Sequence, residues 1–139
     1  MDDGEPDEED WDRDLRFTIR LLVRHPSRDL SDVGPALGLE AHLTWTAGEH
    51  RHGPSVSFDS RWSHRIEVEG QRRFFEASQT LIGRLEVQGD FLRGLREEGA
   101  TITLTFDLRG DGNVGDVLRW PDLARLAALR IDLGVEVFP

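Results

Sequence analysis

Between residues 15 and 24 the chain alternates. Leu15, Phe17, Ile19, Leu21 and Val23 fall on one side of an extended strand, and Arg16, Thr18, Arg20, Leu22 and Arg24 on the other. Period two in a run of β-formers predicts a strand with one buried face, ended by Pro26. Residues 29–37 place Leu30, Val33 and Leu37 on one helical face; Gly38 supplies the stop and Pro35 limits the helix to a turn or two. Alternation resumes at 42–47, with Leu43, Trp45 and Ala47 expected inward. Val56 and Phe58 predict a short strand, and 61–69 a longer one with Trp62, His64, Ile66 and Val68 inward.

Over 71–87 the period changes to that of a helix, with Phe74, Phe75, Ser78, Leu81, Ile82 and Leu85 in one broad stripe. Gly89 breaks it, Asp90 is placed to cap a second helix carrying Phe91, Leu92 and Leu95, and Gly99 stops that one. Residues 101–109 form the clearest strand, with Ile102, Leu104, Phe106 and Leu108 inward. After a glycine-rich loop, Pro121 marks a helix start, Leu123, Leu126 and Ala127 give its packing face, and Ile131, Leu133, Val135 and Val137 a last strand. The order β-α-β-β-α-(α)-β, then α-β, begins as the split βαβ arrangement of ferredoxin-like folds. The expected fold class is α+β: a ferredoxin-like βαββαβ arrangement extended by an αβ unit, with a mostly antiparallel sheet and helices on one face.

Charge changes the picture at one end only. Of 139 residues carrying a net −10, the first fourteen hold nine acids against Arg13, a local −8, which leaves the remaining 125 at −2. Like charges repel and bury no apolar surface, so 1–14 is expected to be a disordered acidic tail and 15–139 a single domain. All 17 basic residues are arginine, but a near-neutral body beside an anionic tail argues against nucleic acid as the partner. The chain has no cysteine, which excludes disulfides, thiolate-bound metal and thiol catalysis. No apolar run approaches the ~18 residues of a membrane span and the N-terminus is acidic, so the expectation is a cytoplasmic protein.

The candidate chemistry is sparse. Residues 110–115, G-D-G-N-V-G, form a G-x-G-x-x-G string after a strand, yet Pro121 falls where a phosphate-binding helix would run, so the string reads as a connecting loop. As a calcium loop starting at Asp111 it has Asp116 where glycine is required and Asp122 where glutamate is. His50 and His52 lack a third ligand at a zinc spacing, and His64 reads as a hydrogen-bonded core residue. There is no G-x-S-x-G, H-E-x-x-H or G-K-[ST] motif, and Glu67 and Glu69 lie on an outward face. No catalytic residue, metal or cofactor is therefore expected. Two features remain. The outward sheet face carries Arg16, Arg20, Arg24, Arg65, Glu67, Glu69, Asp107, Arg109, Asp132 and Glu136, a set suited to cross-strand ion pairs or to a protein partner. Trp45, Gly48, Arg51 and Trp62 are expected to share one end of the sheet, where both indoles plug the core or line a ligand cleft closed by Arg51.

Several segments line up with one family: F-T-I-R-L at 17–21, V-G-P-A-L-G-L-E at 33–40, W-T-A-G-E at 45–49, R-W-S at 61–63, the L-x3-L helix at 81–85, G-A-T-I-T-L-T-F at 99–106, and L-A-A-L-R-I-D-L-G-V-E-V-F-P at 126–139. Over about residues 15–139 the chain resembles the bacterial family known as domain of unknown function 4279. The resemblance implies a compact α+β domain from a bacterial source and brings no activity, cofactor or catalytic residue. The expected function is non-enzymatic: a protein-binding or accessory domain whose partner is a protein, basic if the acidic tail docks on it. A second copy of the chain on the polar sheet face is a further possibility. The alternatives are an immunity protein that neutralises a toxin and a small-molecule-binding domain with a cleft near Trp45 and Trp62.

Overall fold

Strand β1 (Arg16–His25) is hydrogen-bonded on both sides, and its alternation sets the two faces of the whole sheet. The computed structural model describes residues 16–50, 55–70, 73–109 and 115–138. The acidic segment 1–14, Arg51, His52 and the glycine string up to residue 114 lie outside the described residues. After β1 come α1 (Val33–Leu37), β2 (Leu43–Trp45), β3 (Ser60–Glu69), α2 (Phe74–Ala77), α3 (Gln79–Val87), α4 (Gly89–Glu97), β4 (Thr101–Arg109), α5 (Trp120–Ala128) and β5 (Asp132–Phe138). The sheet order is β2-β3-β1-β4-β5; every neighbouring pair is antiparallel except β4 and β5, which α5 joins in parallel. The chain is thus α+β, one compact domain on a mixed five-stranded sheet. No described helix is long and apolar enough to cross a membrane.

Residues opposite one another across a ladder share a face. Phe17, Ile19, Leu21 and Val23 therefore align with Val68, Ile66, His64 and Trp62 of β3 and with Leu108, Phe106, Leu104 and Ile102 of β4. This face is the core, and Leu30, Val33, Leu37, Phe74, Phe75, Ile82, Leu85, Leu92 and Leu95 close over it. Burying such side chains yields about 1.5–3 kcal/mol each against the chain entropy lost on ordering. Alternation and helical period alone locate most of these residues.

Three expectations need correction. The helix foreseen over 71–87 is two: the Ser78 hydroxyl donates to the Phe75 carbonyl oxygen at 2.6 Å, and the chain turns there before α3. A buried serine that hydrogen-bonds back to its own turn competes with the helical ladder, and the 3.6-residue stripe does not register this. The strand expected at Val56 and Phe58 is a single bridge between His50 and Val56, and Phe58 is 99% exposed. The third concerns β2. Thr44 opposes Trp62, which leaves Leu43 and Trp45 on the other face with Ser63 and Arg61. A three-residue strand has one hydrophobic alternation to offer, and its partner's register decides the side.

Three helices end in the same hydrogen-bond pattern, a carbonyl five residues back accepting from the residue after a left-handed turn. Leu39 N–H donates to Gly34, Ala100 to Leu95 and Ile131 to Leu126, around Gly38 (φ +66°), Gly99 (φ +103°) and Arg130 (φ +57°). Arg130 is the non-glycine among them. A left-handed L-residue costs about 1–2 kcal/mol, and glycine's extra freedom when unfolded returns about 0.5–1 of that. Arg130→Gly is therefore expected to raise stability by about 0.5–1 kcal/mol in urea titration, while Gly99→Ala, the reverse exchange at φ +103°, lowers it by at least about 0.5–1 kcal/mol. Equal midpoints for Arg130→Gly and wild type would contradict the strain assigned to this turn.

Candidate functional site

No described helix contributes to the second face of the sheet, and its side chains lie in rows across the strands. One row holds Glu67, Thr18, Asp107 and Glu136; the next holds Arg65, Arg20, Thr105 and Gly134. The next row holds Leu43, Ser63, Leu22 and Thr103 and ends on the Asp132 carboxylate, and then come Trp45, Arg61, Arg24 and Thr101. Acidic and basic bands thus sit one residue pair apart, a layout that alternation within β1 and β3 produces directly.

The bands grip each other. Arg20 Nε donates to Asp107 Oδ2 at 2.6 Å and Arg20 Nη2 to Asp107 Oδ1 at 3.1 Å, a bidentate fork, and Nη2 also reaches Glu136 Oε2 at 3.2 Å. The hydrogen bond to Asp107 holds the Arg20 guanidinium further into its charged form. Arg65 pairs with Glu67 at 3.1 Å on the same strand. At the far end, Asp59 receives Arg24 Nη2 at 2.8 Å and Arg61 Nε at 3.0 Å. Burial pushes the Asp59 carboxyl up, but the hydrogen bonds and charges of both arginines outweigh it and leave the group below its ordinary value. A hollow of about 580 Å³ opens on this face around Arg20, Arg65, Glu67, Asp107, Arg109 and Glu136.

Two other hollows are less suited to a ligand. One of about 730 Å³ is bounded by Asp116, whose carboxylate already accepts from the Phe75 and Val117 N–H groups. The other, about 480 Å³, lies between α1 and Trp62 and is lined by no charged side chain. Among the described residues no three His, Asp or Glu side chains converge as metal ligands would.

The residues expected to form a ligand cleft are not brought together. Trp62 is 1% exposed in the core, with its indole under α1 at Gly34, where an added Cβ would stand 3.4 Å from Nε1. Trp45 lies on the opposite face, with the Arg61 guanidinium 5.7 Å from its ring centroid. The indoles are neighbours in the ladder separated by the thickness of the sheet. Gly48 sits in a turn at φ +91°, its N–H bonded to the Ser57 carbonyl, and Arg51 lies outside the described residues. The bidentate contact of Arg20 and the shared carboxylate of Asp59 were not foreseen as specific pairs. The outward alternation carries the signal for the first, but Asp59 precedes its strand and shows none.

Trp62→Ala should cost about 3–5 kcal/mol in chemical denaturation, as for a buried aromatic, and Trp45→Ala about 1 kcal/mol from the lost stacking on Arg61. Because the Asp59 carboxyl lies lower in the folded chain than in the unfolded, its stabilisation is present above about pH 4 and lost as pH falls through the folded value. Asp59→Asn should therefore lower stability at pH 7 by no more than about 1 kcal/mol, a difference that disappears once the pH lies well below the folded value. A penalty that persists in acid would assign the effect to packing. No family model matches the chain, and no curated protein and no solved structure matches it either.

Proposed function

We propose that this chain is a non-enzymatic binding domain from a bacterium, of the domain of unknown function 4279 type, and that the open sheet face receives a protein partner. The observation that carries the reading is the banded face itself: alternating acidic and basic rows, pre-paired within hydrogen-bond distance and fixed on a rigid sheet. Such a pattern selects a partner with the complementary alternation and opposes one of uniform charge, because each like-charge contact costs more than a solvated one. A polyanion would meet the acidic row of Glu67, Asp107 and Glu136 beside the arginines, so nucleic acid fits poorly. The Asp59 carboxyl, between Arg24 and Arg61, is held in its charged form, as for recognition, and not raised as for proton transfer. For the fold, the antiparallel order β2-β3-β1-β4 supports reading these strands as a ferredoxin-like core to which α5 and β5 are added.

The test is affinity capture from the bacterial host, followed by binding measurements on the purified partner with three variants. Arg65→Glu reverses a charge in the basic row, and Thr103→Arg raises a bulky side chain in the row of Ser63 and Leu22; each should weaken binding at least tenfold, in line with the ~1.5–3 kcal/mol of a lost charged hydrogen bond. Deletion of residues 1–14 should leave affinity within a factor of three. Loss of binding on that deletion, with both face variants unaffected, would transfer the function to the acidic segment.

A further inference from the structure

The two edges of the sheet are unlike. The β2 edge is three residues long, which leaves little ladder for another chain to join. The β5 edge is seven residues long, carries no proline, lysine or bulge, and leaves its outer row of backbone groups unpaired within the sheet. Its core-side residues Leu133, Val135 and Val137 oppose Leu104, Phe106 and Leu108, which are buried, yet they remain 37%, 48% and 63% exposed. On α5 above them, Trp120 and Leu123 are also exposed. Apolar side chains on the inner face of a long open edge are what sheet proteins ordinarily cover.

We propose that a second copy of this chain covers it, β5 pairing antiparallel with β5 of the other copy about a two-fold axis through Val135. The register follows from charge and side-chain chemistry. Centred on Val135, the pairing sets Val135 against Val135, Leu133 against Val137, Gly134 against Glu136 and Asp132 against Phe138. Every apolar residue of the inner face meets an apolar residue, and no two like charges oppose. Shifted by one residue to centre on Gly134, it would set Asp132 against Glu136, an unfavourable pair. Both carboxylates on the strand are already neutralised within their own copy: Glu136 by Arg20 at 3.2 Å and Asp132 by Arg96 at 3.1 Å. They therefore do not act as the unpaired edge charges that keep strands apart.

An axis perpendicular to the sheet keeps both helix layers on one side, so α5 of each copy faces the other across the axis. A standard interface takes ~800 Å² from each partner, and the exposed apolar side chains of α5 extend what the strand alone supplies. The joined sheet has ten strands, and the open faces of the two copies form one continuous surface. The dimer is argued from the β5 edge alone and does not rest on the reading of that surface as a binding face.

The absence of cysteine makes the register directly measurable. The experiment uses the full chain with Val135→Cys, and separately Val137→Cys, under mild oxidation. Opposed cysteines at the axis have the Cβ spacing of a disulfide, so Val135→Cys should cross-link to covalent dimer in high yield, whereas Val137→Cys, which opposes Leu133, should cross-link several-fold less. In sedimentation velocity at tens of micromolar the wild type should run at twice the 15.8 kDa of the chain. Val135→Lys, which opposes two ammonium groups at the axis, should run as monomer with its circular dichroism retained and a cooperative melting transition that no longer depends on protein concentration. A monomeric wild type at several hundred micromolar overturns the proposal. So does a dimer that survives Val135→Lys, or equal cross-linking at the two cysteine positions.

Discussion

The double pairing of β1 is the constraint on which everything else rests. A central strand bonded on both sides has no freedom to slip, because a shift of one residue would turn Phe17, Ile19, Leu21 and Val23 outward and bring Arg16, Arg20 and Arg24 into the core. Burying one unpaired guanidinium costs more than the whole marginal stability of a domain this size allows. The register of β1 then dictates the register of β3 and β4, and through them which carboxylates each arginine can reach. Arg20 meets Asp107 because Ile19 must meet Phe106.

The parts legible in the sequence are those that this kind of energy decides locally. β4 shows five polar and four apolar positions in strict alternation, and its observed bounds are those the pattern gives. Gly38 and Gly99 mark helix ends because a left-handed turn selects glycine at the residue itself. What was not legible depends on a partner distant in the chain. Trp45 reads as a core residue by its size and alternation, and only the pairing Thr44 with Trp62 turns it outward. β5 reads as a half-buried strand, and only its place at the edge of the sheet leaves Leu133, Val135 and Val137 partly uncovered. For the candidate site, the charged face was visible as a set of outward residues. The individual contacts were not, since Asp59 lies before its strand and finds Arg24 across 35 residues of chain.

The two exposed surfaces differ in physics. On the open face the arginines and carboxylates satisfy one another, so their desolvation by a partner is partly compensated before it arrives; the remaining discrimination lies in the pattern and not in net charge. At the β5 edge the unmet need is apolar area and backbone hydrogen bonding, which is less selective and is satisfied by any strand of suitable pattern. A strand with the sequence of β5 itself is the one such partner present at the same concentration as the chain.

Arg20 connects the two. Its fork holds Asp107 on β4 while the same Nη2 nitrogen reaches Glu136 on β5, so one guanidinium clamps the parallel pair of strands from the open side. The clamp neutralises the β5 carboxylate that would otherwise guard the edge, and it ties the acidic row to the basic row beside it. Occupation of that face by a partner that competes for Arg20 would release Glu136 as a free charge beside the edge. Were a partner to bind the face, its binding would be coupled to association at the edge through a single side chain, with a sign set by whether the partner presents a carboxylate to Arg20 or a cation to Glu136. A carboxylate would draw Arg20 away and weaken the edge. A cation would take over the neutralisation of Glu136 and leave the edge as competent as before.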